Sequence, residues 1–191
     1  MDAQFFLVLI ASFSVLLYFL IRLGETHQHR INYEFLKFAQ AEERISWRMR
    51  IYYLSEFLFM FLIVTEHFYL GSKFERIHTV IGLSFLLIGV SLRFWAITTL
   101  GKLWSKRCMF IQGNYVVKEG PFKYLSHPEY LSRFLDIVGM CVMFKAFYSL
   151  GIYIVCISYL LYGIIKVESS QMKRLAIDDN SSGIKHSYYV K

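Results

Sequence analysis

The residues best suited to chemistry lie in one short polar segment, Gly120–Tyr130, which directly precedes an apolar run. A Gly-Pro pair at its start interrupts any helix before it. Ser126 and Glu129 stand three apart around Pro128, which is the spacing of a capping box with proline in the first helical turn. Backbone N–H groups at such a helix start, together with the adjacent His127, suit a small anionic group. The segment therefore predicts a polar binding site at the start of a helix.

The composition predicts what surrounds this segment. Hydrophobic residues make up 56% of the 191 residues, aromatic residues 18% and charged residues only 18%. So few charges are unusual for a soluble domain, and the surplus of Phe and Tyr is typical of lipid-facing helices. We expect an all-α integral membrane protein in which residues 1–191 form a single membrane domain.

Five apolar segments approach the roughly 20 residues that a membrane-spanning helix needs. They are Ala3–Ile21, Ile51–Leu70, Ile77–Leu100, Pro128–Lys145 and Phe147–Ile165. Only Ala146 separates the last two, so they are predicted to form a tight antiparallel hairpin. This hairpin would bring Ser126–Tyr130 and Lys166–Gln171 together at one membrane face.

The basic residues predict the orientation of the chain. Of the 21 Lys and Arg residues, 16 fall in the two long connections and the tail, Arg22 among them. By the positive-inside rule these parts face the cytoplasm and the N-terminus faces out. The net charge of +7 is then a topology signal and does not predict nucleic-acid binding. Within the first connection, His27–Arg50 is predicted to be a helix lying at the membrane surface.

Charged residues inside the predicted spans are candidates for a function, because they are costly in lipid. Arg133 and Asp136 stand three apart on one helix face. Two interpretations stay open: a mutually satisfied pair near the interface, or residues lining a substrate cavity. Glu56 lies near the cytoplasmic end of its span, where it can meet Arg93.

Small residues in the spans predict packing rather than chemistry. Gly82 and Gly89 are seven apart and mark a close helix contact. Cys108, Cys141 and Cys156 show neither a CxxC pair nor a His/Cys ligand spacing, so neither a disulfide nor a metal site is predicted.

The polar segment and its upstream sequence resemble a known enzyme family. Residues 114–122 (NYVVKEGPF), followed by His127-Pro-Glu-Tyr130, are similar to the core of the isoprenylcysteine carboxyl methyltransferase family. That core has the pattern H-x-L-V-x-x-G-x-Y and then R-H-P-x-Y at a helix start. The preceding Leu92–Trp104 is similar to shorter bacterial members, some of which methylate alkylpyrone products of type III polyketide synthases. The resemblance covers residues 90–171 and the five-span layout.

The resemblance implies a site for S-adenosylmethionine in residues 102–130 and 166–171. The implied cofactor contacts are Asn114, Tyr115, Val116, Val117, Phe122, His127, Pro128, Glu129, Tyr130 and Ser170. The family's substrate-binding arginine after the last span is Lys166 here, and the glutamate four residues later is Ser170. Ser126 replaces the arginine before His-Pro, and Gln171 replaces a second acidic residue. Lys166 keeps the positive charge but not the planar donor geometry of arginine.

The implied activity is methylation of the carboxylate or enol oxygen of a lipophilic or prenylated acceptor that enters from the membrane lipid. Lys166 and Arg133 are the predicted catalytic residues, which hold the acceptor anion at a site facing the cytoplasm. On residue type alone, His127 is also compatible with a simple interfacial cap. Lys166 is likewise compatible with a charge that complements a helix C-terminus.

Two other functions remain open from the sequence. Membrane sterol reductases, which use NADPH, have a similar helical end and the motif R-H-P-N-Y; the missing arginine and Glu129 in place of asparagine argue against this class. A non-catalytic membrane scaffold derived from the family is the other alternative. The replacements at Ser126, Lys166, Ser170 and Gln171 are its main support.

Overall fold

The computed structural model describes residues 3–38, 42–43, 47–104, 109–110 and 119–181, with side chains at 3–35, 51–104 and 119–166. The described chain is almost entirely helical, which confirms the all-α prediction. The helices are α1 (Ala3–Phe38), α2 (Trp47–Tyr69), α3 (Arg76–Leu100), α4 (Pro128–Phe144) and α5 (Phe147–Ser181). Two 3-10 turns lie at Gly101–Leu103 and Gly120–Lys123, and two-residue strands β1 (Glu42–Glu43) and β2 (Met109–Phe110) pair antiparallel.

Four of these helices are long and apolar enough to cross a membrane. Their candidate spans are Ala3–Phe35, Ile51–Tyr69, Arg76–Leu103 and Phe147–Lys166. The fifth predicted span corresponds to α4, which has 17 residues. It falls short of the roughly 20 residues that cross the hydrocarbon unaided, because Pro128 starts it late and Lys145 ends it in the left-handed conformation.

Helix α1 is longer than the sequence predicts. The first span was expected to end at Ile21, with a separate surface helix over His27–Arg50, but α1 continues without a break to Phe38. No proline lies in this region, and the first two charges after the apolar run can pair with each other along the helix. Arg22 contacts Glu25 one turn later at 3.1 Å. The placement of Arg22 in a cytoplasmic connection is therefore wrong.

One end of the bundle, which we call the loop end, gathers the close of α1, the close of α3 and the start of α4. Asn32 on α1 donates from Nδ2 to the backbone oxygens of Gly101, at 3.0 Å, and of Trp104, at 2.8 Å. The pairing of β1 with β2 joins the two long connections. The polar segment found in the sequence lies at this end, because Gly120 packs against Thr99 near the close of α3.

The opposite end, which we call the hairpin end, joins α4 to α5 through Lys145 and Ala146 alone. The predicted tight connection is thus present, one residue longer than expected. His67 on α2 fastens it by a 2.8 Å hydrogen bond between Nδ1 and the Phe144 backbone oxygen. Lys145 contacts the exposed Glu75 carboxylate at 2.6 Å, and this ammonium lowers the pKa of Glu75.

A remote carboxylate caps the start of α5. Glu66 on α2 accepts hydrogen bonds from the backbone N–H of Tyr148 at 3.1 Å and of Ser149 at 2.7 Å. These are N–H groups that the first turn of a helix leaves without intrahelical partners, and a negative charge there complements the helix dipole. Glu66 therefore fixes the direction in which α5 leaves the hairpin.

Helices α3 and α4 approach each other at glycine. A Cβ atom added at Gly82 would lie 2.5 Å from the backbone oxygen of Gly139, and one at Gly139 would lie 2.7 Å from the backbone oxygen of Gly82. At Gly89 the added atom would meet Asp136. The prediction that Gly82 and Gly89 mark close packing is confirmed.

We expect Gly82→Ala to lower the free energy of unfolding by about 1–3 kcal/mol, because the new methyl group overlaps backbone atoms that cannot move away. The matched control is Gly151→Ala on α5, where an added Cβ has no atom within 4 Å. That change should be neutral or stabilising by up to about 1 kcal/mol, since alanine favours helix. Thermal unfolding in detergent measures both. Equal midpoints for the two variants would contradict the close contact.

Candidate functional site

The polar segment is a compact turn seated on the end of α3. Gly120 has a φ of +55°, and the buried Pro121 follows it in the 3-10 turn. A Cβ atom at Gly120 would meet the side chain of Thr99 and lie 3.1 Å from Nε1 of Trp95. Glycine is needed here both for the backbone conformation and for the close approach. The turn fixes where α4 begins relative to α3.

The predicted capping box does not form. In the described part of this segment, His127 is the N-cap residue of α4 and no side chain makes a capping hydrogen bond there. Ser126 is exposed. The Glu129 carboxylate turns instead along its own helix to Arg133, with 2.8 Å between Oε1 and Nη2. A buried guanidinium one turn away is a stronger attraction for a carboxylate than a backbone N–H that water can reach.

The ring of His127 belongs to an aromatic contact chain. It stacks on Tyr130 with 5.4 Å between ring centroids, and Tyr130 meets the edge of Tyr52 at 5.7 Å. Tyr52 on α2 is buried, whereas His127 and Tyr130 are half-buried. The motif residues thus present two rings at the loop end while being held from behind by α2.

Behind these residues lies a cluster of buried charges that four helices share. It consists of three arginines and three carboxylates, each at most 4% exposed: Arg22, Glu25, Glu56, Arg93, Arg133 and Asp136. Glu129, with a side chain 21% exposed, joins it from the loop end. We call the six buried residues the charge cluster.

Arg133 joins the cluster to Glu129 and contacts three carboxylates in all. Its Nη1 donates to both oxygens of Glu56, at 2.9 and 3.1 Å. Its Nη2 donates to Glu25 at 3.1 Å and to Glu129 at 2.8 Å. The guanidinium also lies over the ring of Tyr53, 4.9 Å from its centroid. The several N–H donors of one guanidinium thus hold three carboxylates at once.

Asp136 finds its partners on other helices. Its Oδ2 lies 2.6 Å from Nη2 of Arg93 and 3.6 Å from Nη2 of Arg22. Arg93 in turn places Nε 3.1 Å from Glu25. Arg133 and Asp136 are therefore not a mutual pair, so that interpretation is wrong. At 2.6 Å, Arg93 and Asp136 form a close ion pair between α3 and α4.

The six charges of the cluster sum to zero. Transfer of an ion from water to a low-dielectric interior is costly, and only close, oppositely charged partners offset that cost. Each buried carboxylate of the cluster contacts at least two arginines. Glu129 adds one further negative charge at the partly exposed edge. The cluster ties α1, α2, α3 and α4 together immediately below the polar segment.

Several predicted site residues lie outside the described residues or are described only in part. Asn114, Tyr115, Val116 and Val117 fall outside them. The backbone of Ser170 lies within α5, but its side chain is not described. Phe122 is half-buried, Pro128 is buried and Lys166 is exposed. The assignment of these residues to cofactor or substrate stays a prediction.

Sequence reasoning missed Arg22 and Glu25. They follow the first apolar run directly and were assigned to a connection, where charges are expected. A usable signal was present: a basic and an acidic residue three apart continue the helix and can neutralise each other. Their partners on α2, α3 and α4 depend on how the helices pack and cannot be found from spacing along one segment.

Known proteins and a protein-family model are similar to part of this chain. Residues 80–174 match the model of the isoprenylcysteine carboxyl methyltransferase (ICMT) family. The chain is also similar to YpbQ of Bacillus subtilis (strain 168), described as an uncharacterized protein, with 24% identity over 98 residues. The aligned part is 51% of this chain and 58% of that relative, so the chain spans somewhat over half of the relative's length. No solved structure matches.

We expect Arg93→Leu to destabilise the protein by about 3–5 kcal/mol, because it leaves Asp136 and Glu25 buried with one partner fewer. The double variant Arg93→Leu, Asp136→Leu removes one charge of each sign, so it should recover part of that loss. Arg76→Leu, at the exposed start of α3, is the control and should stay within about 0.5 kcal/mol of the parent. Thermal unfolding in detergent ranks all three. A single variant as stable as the control would contradict the cluster.

Proposed function

Since the chain belongs to the isoprenylcysteine carboxyl methyltransferase (ICMT) family, a family of membrane methyltransferases, we propose that it is a methyltransferase dependent on S-adenosylmethionine. Its substrate would be the carboxylate or enol oxygen of a lipophilic or prenylated acceptor. The observation that carries the proposal is the position of His127–Tyr130. These residues lie within the family match and form the half-buried start of α4 at the loop end.

The residues at this helix start fit the cofactor's polar groups. Backbone N–H groups in the first turn of α4 suit its carboxylate. The Glu129 carboxylate, partly exposed, suits its ammonium group. The stacked His127 and Tyr130 rings offer flat surfaces. We assign Phe122 and Pro128 to the same site, together with Asn114, Tyr115, Val116, Val117 and Ser170.

The antiparallel hairpin supports a site built from residues 102–130 and 166–171. Phe134 on α4 stacks on Tyr153 on α5 with 6.1 Å between ring centroids. Helix α4 is about 25 Å long at 1.5 Å per residue. Helix α5 runs back along it and returns to the level of the start of α4 after a similar number of residues, close to Lys166. Lys166 is exposed. Lys166 would hold the acceptor oxygen at the membrane edge.

The bound cofactor would supply an activated methyl group on a sulfonium: a bond from the acceptor oxygen to the methyl carbon would form as the carbon–sulfur bond breaks, and the sulfur would leave as a neutral thioether. The chain has to hold oxygen, methyl carbon and sulfur in line and keep water out. Lys166 keeps the acceptor ionised, so that no proton has to move during transfer. Arg133 provides a second positive charge one turn below Glu129. A low-dielectric surrounding does not oppose the reaction, because the opposite charges of acceptor and sulfonium disappear together.

We propose that the loop end faces the cytoplasm and the N-terminus faces out. Basic residues that follow the apolar part of α1, lie between α3 and α4, or follow the apolar part of α5 outnumber those near the hairpin end, and this excess supports the orientation. In the same scheme α4 crosses as a fifth, short span shielded by its neighbours. Such shielding accounts for its many buried residues.

An NADPH-dependent reductase related to sterol reductases and a non-catalytic scaffold are the alternatives. The family match supports a methyltransferase over both. The replacements at Lys166, Ser170 and Gln171 leave a cation at the substrate position and hydrogen-bonding groups at the cofactor positions, which a scaffold does not require.

We expect the purified protein to bind S-adenosylmethionine saturably in calorimetry. His127→Ala should weaken that binding about tenfold, because the variant loses a ring at the helix start and the packing of Tyr130, a loss on the order of 1.4 kcal/mol. His78→Ala, which removes a histidine at the hairpin end, is the matched control and should bind as the parent does. The binding of NADPH to the same protein is measured in the same way.

Folded protein that binds no S-adenosylmethionine at millimolar concentration would contradict the methyltransferase. If such protein bound NADPH, the reductase would be favoured. If it bound neither ligand, the scaffold would be favoured.

A further inference from the structure

Glu129 is more exposed and has fewer arginine partners than the three buried carboxylates of the charge cluster. Glu25, Glu56 and Asp136 each contact at least two arginines and are almost fully buried. Among the described residues, Glu129 contacts Arg133 as its one arginine, and 21% of its side chain is exposed. It is the most weakly held and most accessible anion on the Arg133 guanidinium.

The charge balance makes Glu129 dispensable to the cluster. The three arginines are already neutralised by the three buried carboxylates, so the departure of Glu129 leaves no excess charge buried. The carboxylate also keeps a favourable position when it leaves, because it lies in the first turn of α4, where the helix dipole favours negative charge. Glu129 is the one carboxylate on Arg133 that water reaches, and water offsets part of what it loses on leaving the guanidinium. Turning Glu129 outward therefore costs less than releasing any of the three buried carboxylates.

Arg133 itself stays in place when Glu129 turns away. Its Nη1 is held by both oxygens of Glu56, and the second N–H of Nη2 is held by Glu25. The ring of Tyr53 packs against the guanidinium plane. The donor that becomes available is the Nη2 N–H that Glu129 had occupied, on the side of Arg133 toward the first turn of α4.

We propose that Glu129 is an exchangeable ligand of Arg133, and that the anionic oxygen of the lipophilic acceptor takes its place on Nη2. This inference rests on the proposed function and deepens it, because it makes Glu129 a specificity-determining residue. An ionised acceptor replaces one carboxylate by another and leaves the charge around Arg133 unchanged. A neutral ester or alcohol cannot do so, because it would leave Arg133 with a weaker partner than Glu129. The site therefore selects ionised acceptors.

The test measures the binding of laurate, an ionised medium-chain carboxylate, to the full-length protein in detergent, with methyl laurate as the neutral probe. Glu129→Gln removes the internal competitor and should bind laurate about 3- to 10-fold more tightly, since a ligand that competes with an internal group binds in proportion to the fraction of open sites. Glu129→Asp keeps the charge but is one methylene too short to hold Nη2, and it should show a similar gain. Glu34→Gln, which removes an exposed carboxylate from α1, should bind as the parent does. Methyl laurate should bind all four proteins equally.

Two results would overturn the exchange. Laurate affinity that is unchanged or lower in both Glu129 variants would show that Glu129 does not compete for Arg133. A gain in Glu129→Gln but not in Glu129→Asp would show an effect of charge alone. If one Glu129 variant failed to fold, unchanged or lower laurate affinity in the other would still contradict the exchange.

Binding of S-adenosylmethionine to the parent and to Glu34→Gln, in which Glu129 is intact, separates this inference from the proposed function. The expected laurate gains in the Glu129 variants, with a parent that does not bind the cofactor, would contradict the methyltransferase and retain the exchange. Normal cofactor binding by the parent, with no laurate gain in the variants, would contradict the exchange alone.

Discussion

Six charges buried inside a membrane-type helix bundle set the constraint on which the rest of the structure depends. Each guanidinium and carboxylate in this cluster is costly in a low-dielectric surrounding unless an opposite charge lies within a few ångströms. The partners come from four different helices, so the cost is offset only when α1, α2, α3 and α4 meet in one register. A slide of one helix by a single turn would separate Arg93 from Asp136 and Arg133 from Glu56.

That register also determines where the candidate site lies. Arg133 is five residues past the start of α4, so the cluster anchors the helix about 8 Å along its axis from its first residue, Pro128. Tyr52 reaches from α2 to Tyr130 at the same level. The close contact of Gly82 and Gly139 sets how near α4 lies to α3. The motif residues are thus placed by interactions that are themselves far from any substrate.

The sequence predicts the parts of this arrangement that depend on local pattern. The starts of α3, α4 and α5 lie at or next to the predicted residues, because apolar runs and Pro128 mark them directly. Gly82 and Gly89 indicate close packing because small residues seven apart lie on one helix face. The polar segment is recognisable because its proline, histidine and tyrosine lie close together in the chain.

The charge pairs of the structure depend on how the helices pack against one another. Arg22 and Glu25 resemble the charged end of a span until α2, α3 and α4 supply their partners. Glu129 has the spacing of a capping box with Ser126, and the box fails because Arg133 is buried and attracts the carboxylate more strongly. Pairing Arg133 with Asp136 fails for the same reason, since Glu56 and Arg93 come from other helices. Partners on other helices decide the first and third cases. In the second, the i,i+4 spacing allows the Glu129–Arg133 pair, but only the burial of Arg133 among the other helices makes it prevail over the cap.

Photoaffinity labelling with a light-activated analogue of S-adenosylmethionine, mapped by peptide sequencing, would locate the cofactor site. We expect labelled residues both in the segment that leads into α4, including His127–Tyr130, and in the part of α5 that follows Lys166. Excess unlabelled S-adenosylmethionine should prevent both labels. Labelling confined to the hairpin end, or labelling that the unlabelled cofactor does not reduce, would contradict a cofactor site built from these two segments.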